Sequence, residues 1–173
     1  MARRERDRSS SHVVLTCGIA GAGKTTYAKR LEARGYVRLS IDEEVWKRFG
    51  RYGVDYQPDR YAEYSDAAEA TLEQRLLALI DEGRDVVVDY SFWRRAARER
   101  YKRLIQGAGG RWELVYLKAD LDELRQRLAQ RNKRVHANAP FPIKTATLEN
   151  YLAAFEEPNG EGERVISQAS ASP

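Results

Sequence analysis

Residues 18–25 read Gly18-Ile19-Ala20-Gly21-Ala22-Gly23-Lys24-Thr25, a spacing suited to the capture of phosphate by backbone amides. Phosphate oxygens must come close enough to accept several N–H bonds, and at the glycines a side chain would obstruct that approach. Lys24 can bring an ammonium to the outer phosphates, and the Thr25 hydroxyl is an oxygen ligand suited to Mg2+. The run matches the P-loop (Walker A) pattern G-x-x-x-x-G-K-[ST] in full. Its context fits as well. An apolar stretch over residues 13–19 leads into it, and a helical pattern over 24–34 follows, with Tyr27, Ala28 and Leu31 on one side and Gly35 placed to end it. The helix adds the positive end of its dipole beneath the loop. Residues 18–25, with Thr26 beside them, are therefore expected to hold the phosphates of ATP.

Two carboxylates stand where strands should end. Asp42 follows Leu39-Ser40-Ile41, and Asp89 follows Val86-Val87-Val88; in open α/β sheets ligands sit outside the carboxyl ends of the strands. A hydroxyl is a weak nucleophile until a base orients it and takes its proton, and a second acid can hold Mg2+. Asp42 is assigned as the base and Asp89 as the acid on the Mg2+ or substrate side, although the sequence also permits the roles swapped. Each has a plainer reading: Asp42 as a helix N-cap in Asp-Glu-Glu, Asp89 as a strand-end turn residue.

Arg127 and Arg131 are four apart and share a helix face just ahead of a basic loop. Guanidinium groups there can stabilise the charge spread over a transferring phosphoryl group while the loop, a lid over about 127–146, excludes water. Arg125 and Arg134, in the same cluster with Lys133, are weaker candidates, and a solvated basic face is the usual fate of such runs. Arg94, Arg95, Arg98, Arg100, Lys102 and Arg103 follow Asp89 closely; most should face water, some could hold an anionic acceptor, and Arg98 is taken as the one that does. Trp46, in an aromatic stretch reaching Tyr56, could stack on an acceptor ring, as could Phe92 and Trp93, although several of these aromatics should be core.

The elements that must position these groups alternate. Strands are expected over 36–41, 85–90 and 112–117 after the first, with a short fifth at 164–166; helices are expected over a long stretch ending at Gly83, then 94–106, 120–131 and 147–155. Residues 42–59 read as aromatic and irregular, and 132–146 as a loop. Consecutive valines at 86–88 suit a strand buried on both faces, and the alternation implies a parallel sheet covered on both sides. The fold class is a three-layer α/β/α sandwich over residues 12–166, with disordered tails at 1–11 and 167–173.

Composition narrows the class further. At 173 residues, 42% hydrophobic and 32% charged, the chain suits one soluble domain, with no apolar run near the roughly 20 residues that cross a bilayer; a cytoplasmic protein is expected. One cysteine, Cys17, excludes an internal disulfide, and His12 and His136 are too few for a zinc site. Of the net charge of +4, the first eight residues supply +2, so the body is only weakly basic.

Together the loop at 18–25, Ser40-Ile41-Asp42, the strand ending at Asp89 and the Arg127/Arg131 helix resemble the small P-loop kinases, among them chloramphenicol phosphotransferase, the zeta toxins, the kinase half of polynucleotide kinases, and bacterial predicted kinases carrying an AAA-type ATPase label. The likeness spans about residues 12–166. It implies a sheet ordered 2-3-1-4-5, Asp42 as catalytic base, Arg127 and Arg131 as lid arginines, and Phe155-Glu156-Glu157-Pro158 near the adenine. Sensor motifs, an arginine-finger module and a second domain are lacking, so the label does not imply a remodelling motor. The Asp-x-Thr run of polynucleotide kinases is Asp89-Tyr90-Ser91 here. Three functions stay open: a kinase acting on a small molecule with a hydroxyl group, which is favoured; a nucleic-acid 5′-hydroxyl kinase; and an ATPase or nucleotide switch with no such acceptor.

Overall fold

Successive residues of a strand face opposite sides of its sheet, and here both sides are apolar. Val13 and Leu15 pack into one cluster and Val14 into another; Val86 and Val88 part from Val87 in the same way. Such strands need helices on both faces. The computed structural model describes residues 10–167 and shows that arrangement. Along the chain run β1 (His12–Cys17), α1 (Lys24–Glu32), β2 (Val37–Leu39), α2 (Ile41–Phe49), a 3₁₀ turn (Pro58–Arg60), α3 (Tyr61–Asp81), β3 (Val86–Val88), α4 (Arg95–Gly107), β4 (Arg111–Lys118), α5 (Leu121–Arg131), α6 (Thr145–Ala154) and β5 (Glu163–Ser167). The sheet is parallel throughout, in the order β2-β3-β1-β4-β5, the order that the resemblance implies. Leu72, Leu76 and Leu79 of α3 with Tyr101 and Ile105 of α4 cover one face. Ala28 and Leu31 of α1, Leu124 and Leu128 of α5 and Leu148 of α6 cover the other.

The structure departs from the sequence expectations in particular places. Residues 42–59 are not irregular throughout: α2 occupies their first half, capped by the Ser40 hydroxyl, which accepts from the Glu43 amide at 3.4 Å. Acids in its first turn and Lys47 and Arg48 in its last complement the helix dipole. The aromatics that follow are mostly core, with Tyr56 in a cluster with Val45 and Ala68, against which Phe49, Tyr52, Tyr61 and Tyr64 pack. The fifth strand forms and is longer than expected, pairing Leu114–Lys118 with Glu163–Ser167. The disordered tails proposed at 1–11 and 167–173 lie largely outside the described residues. Ser11 and Ser167 do not belong to them: the Ser11 carbonyl accepts from the Arg111 amide at 2.8 Å, and Ser167 pairs with Lys118. No helix among the described residues is long and apolar enough to cross a membrane.

Arg98 is likewise not on an acceptor surface. Its side chain is fully buried and forked onto Glu161, with Nε to Oε2 at 2.7 Å and Nη2 to Oε1 at 2.6 Å, while Nη1 donates to the Phe92 carbonyl at 2.8 Å. Lys102 reaches the Glu161 carbonyl at 2.6 Å. These bonds tie α4 to the segment before β5. Breaking a buried pair leaves a charge without a counterion, so Arg98→Ala or Glu161→Gln should lower the unfolding free energy by about 3–5 kcal/mol. Urea titration of the two variants against the parent protein measures this; a loss below about 1 kcal/mol would show that the bridge holds little.

Candidate active site

The phosphate loop leaves β1 at Gly18, whose φ is 147°. A Cβ there would lie 2.6 Å from the Leu117 carbonyl oxygen of β4, so backbone packing demands glycine at that position before any ligand does. The loop closes through the Ala22 amide on the Ile19 carbonyl at 3.1 Å. Gly23, left-handed at φ 95°, starts α1 and offers no side-chain cap. The first amides of a helix have no partner within it, so those of α1 are available to phosphate oxygens. Lys24 donates to the Ile19 carbonyl at 2.9 Å. Burial pushes its pKa down to about 8, against the pull of Asp89, Cys17 and Asp42.

A cavity of about 1120 Å³ opens over this loop, more than the roughly 300–1,000 Å³ that one small ligand fills, so it has room for two substrates. Ala20, Gly21, Gly23, Lys24, Thr25 and Thr26 line it, whereas Gly18, Ile19 and Ala22 do not; they shape the loop from beneath. Both acids line it too, Asp42 from the first turn of α2 and not from a strand end, Asp89 just after β3. Ser40 takes the capping role on α2, and the Asp42 carboxylate instead receives the Tyr61 phenol at 2.6 Å. Burial raises the pKa of Asp42, opposed by that bond and by the charges of Arg131 and Lys24.

Asp89 directly follows β3. Its Oδ1 is 3.4 Å from the Thr25 hydroxyl, and its Oδ2 accepts from Arg38 at 2.7 Å. Burial raises its pKa, against the opposing charge of Arg38. A hydroxyl and a carboxylate oxygen side by side are hard oxygen donors of the kind Mg2+ takes when phosphates and water complete its octahedron, so these residues fit the ion. Among the described residues no cluster of three or more His, Cys, Asp or Glu could hold a metal by itself.

Arg127 and Arg131 both line the cavity from the end of α5. Arg127 contacts Glu123 and donates to the Gly21 carbonyl at 3.4 Å. Arg131 donates through Nη2 to the Asn138 carbonyl at 3.3 Å, and its Nη1 is buried without a hydrogen-bond partner; an orphaned donor of that kind is costly unless an anion is to meet it. Arg125 turns outward to Asp122 and Glu149. Trp46 does not line the cavity, because one further turn of α2 carries it about 6 Å beyond Asp42. Arg98 is absent from the cavity wall for the reason given above. Cys17 is buried, with its thiol pushed up to about 11 by desolvation, the state of an inert core cysteine.

Arg38 is the residue that sequence reasoning passed over. It lies within β2 between Val37 and Leu39, its side chain 3% exposed, and binds Asp89, Glu43 and the Asn138 side chain. The available signal was an arginine inside a strand of a sheet covered on both faces, where a charge must have a carboxylate partner. The loop 132–144 also contributes more than arginines. Asn138 donates to Glu43 at 2.7 Å, and Phe141 packs 4.7 Å from Tyr52 and 5.3 Å from Tyr61.

A protein family described as AAA domain matches residues 13–158. No curated protein matches the sequence. Among solved structures, a candidate kinase from Chloroflexus aurantiacus superposes with a TM-score of 0.73 at 18% identity, covering 92% of this chain and 89% of that one. A gluconokinase from Sinorhizobium meliloti gives 0.60 at 20% identity, covering 97% and 86%. Kti12 from Chaetomium thermophilum, in complex with ADP-AlF3, gives 0.62 at 16% identity, covering 92% and 89%. At such identities the likeness is one of fold, and the fold is that of the small P-loop kinases.

Proposed function

The chain belongs to the AAA domain family, and from that premise we propose that it is an ATP-dependent kinase passing the γ-phosphoryl group to a hydroxyl of a small molecule. One observation carries this reading: the phosphate loop, the Thr25–Asp89 oxygen pair and the half-buried Asp42 open onto the same cavity. The Kti12 neighbour, solved with ADP-AlF3, supports nucleotide binding by this fold. In the mechanism, amides of the loop and of the first turn of α1 hold the phosphates, and Lys24 leaves the Ile19 carbonyl for their outer oxygens. Thr25 and Asp89 would hold Mg2+, which supplies neutralisation of the phosphate charge. Asp42 accepts the proton of the acceptor hydroxyl, while Arg127 and Arg131, at the root of a lid over 127–146, face the charge that develops on the transferred group. Incubation with γ-labelled ATP and a panel of sugars, aminoglycosides, nucleosides and an oligonucleotide tests the proposal. Label should appear on a small hydroxyl compound; label on the oligonucleotide alone, or on nothing while nucleotide binds, would overturn it.

Tyr61 refines the part played by Asp42. A donor to the ionised carboxylate favours that form, so Tyr61→Phe should raise the pKa of Asp42 further. The acid limb of the kcat profile should then move to higher pH, with KM for ATP little changed. A limb that stays in place would remove Asp42 as the titrating group.

A further inference from the structure

Six basic residues crowd positions 94–103, and the structure sorts them. Arg98 and Lys102 are bound to Glu161, and Arg100 bridges Glu69 and Glu73. Arg95 and Arg103 do not line the cavity, whereas Arg94 does. Its guanidinium has no hydrogen bond or ion pair with any described residue. Glu69 also lines the cavity, on one side of α3 with Tyr61 and Ser65. It already accepts from Arg100 at 3.0 Å and from the Tyr101 phenol at 2.9 Å. Arg94 is thus a cation of the cavity wall without an ion-pair partner among the described residues, as are Lys29 and Arg30 of α1.

The segment that presents Arg94 is held firmly. Phe92 has φ 45°, the one non-glycine residue with positive φ among those described, a conformation that persists only where the surroundings enforce it. Its carbonyl accepts from Arg98 at 2.8 Å and from the Cys17 thiol at 3.4 Å. On either side, Ser91 accepts from the Gly18 amide at 3.2 Å and Trp93 from the Glu156 amide at 2.9 Å. The Trp93 ring lies 4.6 Å from Tyr151, and its indole N–H is buried without a partner. The Glu156 carboxylate takes the first amide of α4, at Arg95, at 2.7 Å, so the cation offered here is the Arg94 side chain and not the helix end.

We propose that the phosphoryl acceptor is a small hydroxy compound bearing an anionic group, a carboxylate or a phosphate, which Arg94 holds while Asp42 receives the hydroxyl. The proposal rests on the kinase reading above. Gluconate, glucose, glucose 6-phosphate and glucosamine, each offered with γ-labelled ATP, separate the charge classes and the two anions. The anionic members should be labelled with a KM lower by about ten- to hundredfold, the range of one charge-assisted hydrogen bond. Arg94→Ala should erase that difference, and Arg94→Lys should keep part of it. Label on glucose or glucosamine at equal or lower KM, or a preference that survives in Arg94→Ala, would overturn the proposal while leaving the kinase reading intact. A second measurement does not depend on turnover: with AMPPNP and Mg2+ saturating, gluconate or glucose 6-phosphate should raise the melting temperature of the parent protein and not that of Arg94→Ala. Absence of that shift with both anions also overturns it. The kinase reading fails separately, by the absence of label on every acceptor.

Discussion

Asp42→Asn protein should bind ATP as tightly as the parent and transfer phosphate about 10²–10⁴-fold more slowly, the usual worth of a positioned base. Asparagine fills the same space and its amide oxygen can still accept from Tyr61, so the aromatic packing around 52–64 and the loop at 18–25 are left in place. What disappears is the capacity to take a proton. Burial matters to the size of the effect, because it raises the pKa of Asp42 above the ordinary 3.8 and so strengthens it as a base at neutral pH. Activity of the parent protein should fall as the pH drops through that raised pKa, and the residual activity of the variant should lack this limb. Single-turnover labelling with equilibrium nucleotide binding measures both halves. A variant with parental transfer would remove Asp42 from the chemistry.

Local features of the fold were legible in the sequence and distant pairings were not. The loop at 18–25 could be read because its ligands are contiguous: three glycines, a lysine and a threonine in eight residues state their geometry without help from the rest of the chain. The strand at 86–88 could be read because three consecutive valines fit little else. Helix α2 was missed even though its start, Asp-Glu-Glu ahead of Val45 and Trp46, was visible; its nine residues end in an aromatic run that has no helical period. Arg98 was assigned to the acceptor because an arginine amid arginines carries no mark of burial, and its partner Glu161 lies 63 positions away. Arg38 was missed for the same reason, since Asp89 and Asn138 reach it across 51 and 100 residues.

Those long-range bonds also show how the two halves of the cavity are joined. Arg38 holds Asp89, the proposed Mg2+-side acid, and through Glu43 and Asn138 it is bound to the loop after α5. Phe141 of the same loop packs on Tyr61, whose phenol holds Asp42. A lid closing over 127–146 would therefore bear on the metal-side acid through polar contacts and on the base through an aromatic one. In the proposed mechanism, Arg131 and Asp42 would thereby be tied to one piece of chain, as a reaction that must exclude water requires.

Lys24→Met should weaken ATP binding by about 30-fold or more, the cost of removing one member of a desolvated charge pair, and at the same time make the nucleotide-free protein more stable. The second half follows from the sign of the pKa shift. Folding lowers the pKa of Lys24 from 10.5 to about 8 through burial, so between those values the unfolded chain binds more protons than the folded one, and stability rises with pH across that window. Below pH 8 the ammonium is present in the folded state and its full desolvation cost is borne. Methionine removes that cost, and each kcal/mol recovered should appear as a melting temperature higher by about 2–4 °C at pH 7; the gain should shrink as the pH approaches 10. Nucleotide reverses the balance, because phosphate charge restores the ammonium. ATP binding by the parent protein should accordingly take up protons between about pH 8 and 10, seen as a dependence of the calorimetric heat on the ionisation enthalpy of the buffer. A binding heat independent of buffer at pH 9, or a Lys24→Met protein that is less stable than its parent at pH 7, would show that Lys24 is not the strained cation on which phosphate capture depends.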